Sequence, residues 1–376
     1  MRILITLNYY APYVSGLTNV ARDVAEGLAA RGHDVLVLTT QHDRSLPRSE
    51  TINGVRVRRF PVRVRLGKGV IAPGLVPAVI RAARTADVVN IHAPMLEAGP
   101  IAAGARRAGT PVLFTYQCDI AMPPSLPGRL QSRAMDASTT AAAGNSRAVI
   151  VSSSDYAAHS RVAWALARNQ LVIPPGCHDR RGGTGRFREG DGLHVGFLGR
   201  IVEEKGIEYL VRGFTALADP EARLLIAGDF ANIAGGSVIE RVREAIGRDD
   251  RIRMLGFLAD DDLPDFYASL DTFALTSVNS FEAFGIVQVE AMMAGVPAVV
   301  TDMPGVRTPV QETGFGTIVP PRDSAAITAA LRKLPTLALP ADGPERARAL
   351  FANERSVQRY QELIDEVLEE AERGTR

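Results

Sequence analysis

The chain has 376 residues, 46% of them hydrophobic, with 43 Lys and Arg against 42 Asp and Glu for a net charge of +1. That length suits two domains of middling size with sizeable cores, and the near-neutral balance gives no electrostatic case for nucleic acid as a partner. Two cysteines, Cys118 and Cys177, form no CxxC pair and the six histidines form no HExxH, which leaves a disulfide scaffold, a zinc site and any protein-built metal site without support.

The first apolar run, Met1 to Leu7, breaks at Asn8-Tyr9-Tyr10. It is too short for a signal h-region. No run approaches the ~20 apolar residues of a membrane helix, so a cytoplasmic protein is expected. Residues 2–7 read as a buried strand. Leu17, Val20, Val24 and Leu28 then recur at helical spacing, with Gly32 at the C-cap position. Strands follow at 35–39, 54–60, 87–92, 111–116 and 148–152, with helical stretches between them. In 54–60, Val55 and Val57 are expected on one face and arginines on the other.

The pattern restarts at a strand over 193–198, with others at 223–227, 251–255, 272–275 and 296–300. Helices fall at 238–246, 261–268 and 285–294, and one starts near Lys205. Two series of strand–helix units predict two doubly wound Rossmann-like domains with parallel sheets. Pro174-Pro175-Gly176 and the polar, Gly- and Arg-rich stretch 179–192 mark the boundary. The expected division is therefore residues 1–178, a linker or mobile loop over 179–192, and a second domain over 193–352. A charged C-terminal helix over 353–376, with an apolar stripe through Val357, Tyr360, Leu363, Ile364, Val367 and Leu368, is expected to pack back on the first domain. Ligands of such sheets bind beyond the C-terminal strand ends, so the site is expected in an interdomain cleft.

The strongest feature runs from Ser280 to Glu290. Glu282 lies in a loop after a strand, Gly285 can open a helix, and Glu290 lies inside it. Eight helical residues rise about 12 Å, so the two carboxylates reach different parts of a long ligand. Amides near Phe284, Gly285 and Ile286 would point at an anion such as a diphosphate. The second feature is Gly199-Arg200-Ile201-Val202-Glu203-Glu204-Lys205-Gly206. Arg200 and Lys205 place two cations at a strand end, where they would stabilise the charge that grows on a leaving diphosphate. Only Lys68, Lys205 and Lys333 among the 43 cations are lysine. A lysine retained in so arginine-rich a chain suggests a compact point charge that a guanidinium fork does not supply.

These segments resemble the GT-B glycosyltransferases of family 4, which are retaining enzymes. The resemblance extends to Arg31-Gly32-His33-Asp34-Val35, Val172-Ile173-Pro174-Pro175-Gly176 and Ala294-Gly295-Val296-Pro297, and so covers nearly the whole chain. It implies a nucleoside-diphosphate sugar as donor, UDP-sugars first and GDP-mannose second, and a glycan, lipid-linked or small-molecule acceptor. It implies no cofactor and no metal. Gly199, Arg200 and Lys205 would hold the diphosphate and Glu290 the ribose. Glu282, with Ala283, Phe284, Gly285 and Ile286, would hold the transferred sugar, and Phe257 and Leu258 would border the base. Catalysis would fall to Glu282, Lys205, Arg200 and His92.

In the first half, the loop Pro12 to Leu17 has Gly16, but Leu17 stands where relatives carry a second glycine. Gln117 stands where relatives carry a histidine of a His-x-Asp pair and is a candidate acceptor contact, and Asp119 remains as either an acceptor contact or a turn cap. The run Arg56, Arg58, Arg59, Arg63, Arg65 and Lys68 is either a solvated face or a weak peripheral contact with anionic lipid.

Other activities fit less well. A nicotinamide dehydrogenase would need GxGxxG after the first strand and an ATPase GxxxxGK[ST]; neither is present. A nucleotide-sugar epimerase shares the fold. A non-catalytic sugar-nucleotide sensor would accommodate Leu17 and Gln117.

Overall fold

The computed structural model describes residues 1–66, 69–120, 125–229 and 237–373. Lys68 lies outside them. The chain divides into two compact units: Met1–Gly176 together with Asn353–Arg376, and Cys177–Ala352.

In the first unit, the strands are β1 (Arg2–Thr6), β2 (Asp34–Gln41), β3 (Ser49–Ile52), β4 (Val55–Pro61), β5 (Val64–Leu66), β6 (Gly69–Ile71), β7 (Val88–Ala93), β8 (Val112–Tyr116), β9 (Ala148–Val151) and β10 (Gln170–Val172). Eight of them form one sheet in the order β10-β9-β8-β7-β1-β2-β4-β3, parallel except where β3 runs antiparallel to β4 at the edge; β5 and β6 form a separate hairpin. The central strands are buried and mostly apolar because helices cover both faces. β7 and β8 are buried at every position.

The terminal helix Asn353–Arg373 packs against the helix Gly16–Ala30. Tyr360, Leu363, Ile364 and Val367 join the same core as Ile3, Ile5, Val24 and Leu28. Burying each such side chain contributes roughly 1.5–3 kcal/mol. The helices approach so closely that a Cβ on Gly27 would press into the Val357 side chain. Ser356 Oγ also donates to the Pro174 carbonyl at 3.0 Å.

The expected two-faced pattern of β4 fails at one residue. Arg59 lies on the buried face with Val55 and Val57. Its guanidinium pairs with Glu50 and donates to the carbonyls of Ala11 (2.6 Å) and Pro47 (3.1 Å). A charge can occupy that place only because it is paired and bonded. Arg59 therefore braces the loop after β1 and cannot face a lipid surface. Arg56, Arg58, Arg63 and Arg65 are exposed, with Arg56 paired to Asp34 at 2.7 Å.

The second unit holds β11 (His194–Leu198), β12 (Arg223–Ala227), β13 (Ile252–Gly256), β14 (Thr272–Leu275), β15 (Ala298–Thr301) and β16 (Gly316–Val319). Its sheet is wholly parallel, in the order β13-β12-β11-β14-β15-β16. Residues 179–192 form no regular element, yet they do not run free. Thr184 donates to Asp265, Phe187 N to Ser269 Oγ at 3.1 Å, and Arg188 pairs with Asp271 at 3.1 Å. A Cβ on Gly183 would overlap the Pro264 carbonyl, so glycine is what lets the segment lie flat. The lack of apolar periodicity that suggested a linker reflects anchoring by polar groups instead.

Candidate functional site

The strand order of the second unit reverses between β11 and β14, and the ends of these neighbouring strands are the switch point at which ligands of such sheets bind. Two glycines shape it. A Cβ on Gly228, after β12, would overlap the Gly199 carbonyl oxygen. Gly206 adopts φ 60°, and a Cβ there would overlap the Thr276 carbonyl. The loops are also bonded: Thr276 Oγ1 donates to the Lys205 carbonyl at 3.1 Å and Val278 N to the Glu204 carbonyl at 2.9 Å. This fixes the turn Glu203–Lys205 and brings Lys205 Nζ onto the Glu282 carboxylate. Both side chains are largely buried, 15% and 14% exposed. Arg200 is more open, with Nη2 3.6 Å from Glu204.

The other loop ends at Gly285, with φ 84° and no room for a Cβ beside Leu275. Ala283 and Phe284 are buried just before it. Gln288 Nε2 donates to the carbonyls of Phe284 (2.6 Å) and Val306 (2.9 Å), which holds the turn. The helix Ile286–Met293 starts here, and first-turn amides have no partner within a helix.

Glu290 is 4% exposed. Its Oε1 lies 3.3 Å from Arg180 Nε, and Oε2 accepts from the Tyr267 hydroxyl at 3.2 Å. The Arg180 fork in turn grips Asp260 at 2.7 and 2.8 Å. Burial pushes the Glu290 carboxyl above its ordinary value, and the Arg180 charge opposes that rise. Asp260 and Asp262, at the start of the short helix Leu263–Ala268, are committed to Arg180 and Arg186. Phe257, after β13, is 70% exposed, while Leu258 packs against the core.

Sequence reasoning missed Arg180 and Tyr267. Arg180 sits in a polar run crowded with arginines, and Tyr267 looks like one more apolar position of a short helix. Neither carries a local signal; only the fold brings them to Glu290.

In the first unit, Gly16 opens the helix Gly16–Ala30, capped by Ser15 Oγ, which accepts from Thr18 N at 3.2 Å. Nothing lies within 4 Å of a Cβ built on Gly16. His92 is 2% exposed, and both ring nitrogens meet protein groups: the Asn90 side-chain amide at 3.1 Å from Nε2 and Gln117 Nε2 at 3.3 Å from Nδ1. Burial pushes its pKa down to about 3. Asp119 is buried too, with Oδ1 accepting from Tyr116 Oη (2.5 Å) and Ser160 Oγ (3.0 Å), and Oδ2 from Arg161 N (3.4 Å). This carboxylate anchors the segment around Ser160.

Residues 15–176 match the glycosyl transferase 4-like domain, and residues 187–349 match glycosyl transferases group 1. The chain belongs to the group 1 glycosyltransferases. It is 37% identical to mannosylfructose-phosphate synthase of Agrobacterium fabrum, over 37% of this chain and only 34% of that one. It is 29% identical to a GDP-mannose-dependent alpha-mannosyltransferase of Mycolicibacterium smegmatis over 82% of this chain and 81% of the relative. Among solved structures, sucrose-phosphate synthase of Thermosynechococcus elongatus superposes with TM-score 0.78 at 22% identity, covering 97% and 98% of the two chains. Anabaena HepE in complex with UDP-glucose superposes with TM-score 0.73 at 21% identity, covering 97% and 100%. The fold is GT-B. Among the described residues no helix is long and apolar enough to cross a membrane.

Proposed function

We propose that the protein transfers a hexose from a nucleoside diphosphate sugar to an acceptor hydroxyl with retention of anomeric configuration, and that the donor lies at the β11 and β14 ends of the second unit. The observation that carries this reading is the contact of Lys205 with Glu282 beside the start of the helix Ile286–Met293. One ammonium, one carboxylate and the start of a helix meet there. The amides and Lys205, with Arg200 behind, suit a diphosphate. Glu282 accepts hydroxyls of the sugar, and Glu290 accepts those of the ribose. As the bond from the anomeric carbon to the phosphate oxygen breaks, charge gathers on the leaving diphosphate. Cations fixed beside it act on that growing charge and need no metal ion. Gly16 is proposed as a further donor-binding residue on the family resemblance alone.

The long-covering relatives are named as GDP-mannose-dependent, and a solved neighbour holds UDP-glucose. GDP-mannose and UDP-glucose are therefore the donors to try first. The acceptor class remains the broad one of glycans, lipid-linked sugars and small alcohols. Exposed Arg56, Arg58, Arg63 and Arg65 add weak, salt-sensitive contact with anionic head groups as a secondary property.

The test is calorimetric binding of both donors, then transfer of labelled sugar in the presence of EDTA, with product configuration read by NMR. Binding without transfer to any acceptor and without slow donor hydrolysis would favour a sensor. An inverted product would refute retention.

A further inference from the structure

A buried polar chain in the first unit has no place in the chemistry above. Gln117 Nε2 lies 3.1 Å from the Leu17 carbonyl and 3.3 Å from His92 Nδ1. The Asn90 amide lies 3.1 Å from His92 Nε2 and 2.9 Å from Thr115 Oγ1. Thr115 Oγ1 reaches Tyr360 Oη of the terminal helix at 3.2 Å, and the Tyr360 ring stacks on the imidazole at 6.4 Å between centroids.

Hydrogen-bond logic assigns every proton up to Thr115. The Leu17 carbonyl can only accept, so the Gln117 amide must present nitrogen to it. The same nitrogen then donates to His92 Nδ1, which must hold a lone pair. The proton of the neutral ring is therefore on Nε2, and Nε2–H needs an acceptor. Amide oxygen and nitrogen have the same shape, so orientation follows from partners. Asn90 accordingly turns Oδ1 to the ring and its NH2 to Thr115 Oγ1. An imidazolium would confront the Gln117 donor with a second donor, so the ring stays neutral for a reason beyond burial.

We propose that Gln117 is a positioning residue: read through the Nε2–H tautomer of His92, its amide orientation clamps the Leu17 carbonyl and so fixes the first turn of the helix Gly16–Ala30. Two departures from the family pattern, Leu17 and Gln117, are then one device. The side chain that occupies the usual histidine position holds the backbone of the residue that occupies the usual glycine position. His92 serves as the reference for that clamp, not as a group offered to substrate. The functional part rests on the reading above, in which Gly16 is a donor-binding residue.

The experiment uses the full chain with labelled histidine, and NMR assigns each of the six rings by single replacement. His92 should carry its proton on Nε2 and show no titration from pH 5 to 8. In Gln117→Glu, nearly the same shape without donors, Nδ1 should gain a proton, and the amides of the Gly16–Val20 turn should exchange faster. Turnover of GDP-mannose or UDP-glucose should fall about tenfold, the scale of one lost hydrogen bond felt in the transition state, while free GDP and UDP bind the variant as before. An Nδ1–H tautomer in the parent, or unchanged exchange in the variant, overturns the clamp. Altered exchange with undiminished turnover overturns its positioning role. A parent that turns over neither donor, with the NMR as expected, sustains the clamp and tells against the donor reading instead.

Discussion

Arg180 Nε stands 3.3 Å from Oε1 of Glu290, and the same guanidinium holds Asp260 at 2.7 Å. One residue of an irregular segment thus links the deepest carboxylate of the candidate site to the surface. Burial raises the Glu290 pKa and Arg180 opposes the rise.

That balance gives a pH signature. A carboxyl whose folded pKa is raised favours folding below its unfolded pKa, and the benefit is lost as pH climbs through the folded value. Removing Arg180 lifts the folded pKa further and moves the end of that window upward. Arg180→Met should therefore cost ~3–5 kcal/mol near pH 8, the usual result of breaking a buried pair. The deficit should shrink as pH falls toward 5, where the folded variant can keep Glu290 protonated. Urea unfolding of parent and variant at several pH values reads this directly. A deficit independent of pH would show that Glu290 does not feel Arg180.

Glu282 and Glu290 should fail differently when replaced. Glu290→Gln keeps the shape but weakens the bond to Arg180, so it should loosen free nucleoside diphosphate and lower the melting temperature together. Glu282→Ala should spare nucleotide binding and lower turnover, since its carboxylate meets Lys205 and not the Arg180 and Tyr267 groups that hold Glu290. Equal loss of nucleotide affinity in both variants would refute the division of roles.

Gly285→Ala tests the turn that starts the helix. Its φ of 84° is a left-handed conformation, costing roughly 1–3 kcal/mol for a residue with a Cβ. The new methyl would also press on Leu275. The variant should melt lower and lose nucleotide affinity, because the first-turn amides shift with the turn. Unchanged affinity would place the nucleotide elsewhere.

The sequence made the long central strands and the Glu282–Glu290 segment readable because each has a local cause. Apolar runs mark β1, β11 and β14, with glycines bounding β11, and a glycine before an apolar helix marks Gly285. Short edge strands were not readable: β16 is Gly316-Thr317-Ile318-Val319, and β10 has three residues, too few for periodicity to show. β3 is polar because one face of an edge strand meets water. Arg59 misled because its charge pointed outward by rule, whereas Glu50 and two carbonyls drew it inward. His92 looked like a strand-end catalytic group. It is buried in a central strand, with the Tyr360 ring from far away in sequence stacked on it.

Lys205 offers the sharpest test of the chemistry. Its ammonium touches Glu282, and its backbone is fixed by Thr276, so its charge sits at one point of the loop. Cations beside the diphosphate lower the barrier only by the part of their attraction that grows as the glycosidic bond lengthens. Lys205→Ala should therefore reduce turnover more than it weakens donor binding, by about two to three orders of magnitude or ~3–4 kcal/mol. Lys205→Arg should also be impaired. A planar fork spreads its charge, and the turn held by Gly206 and Thr276 leaves it little freedom to shift. Glu282 would still find a cation in that variant, so gross unfolding is not expected. Circular dichroism and melting establish that both variants fold, and calorimetry with GDP-mannose and UDP-glucose separates binding from turnover. If Lys205→Arg matched the parent in turnover, a mere positive charge would suffice. If both variants lost only stability, Lys205 would serve the loop and not the reaction.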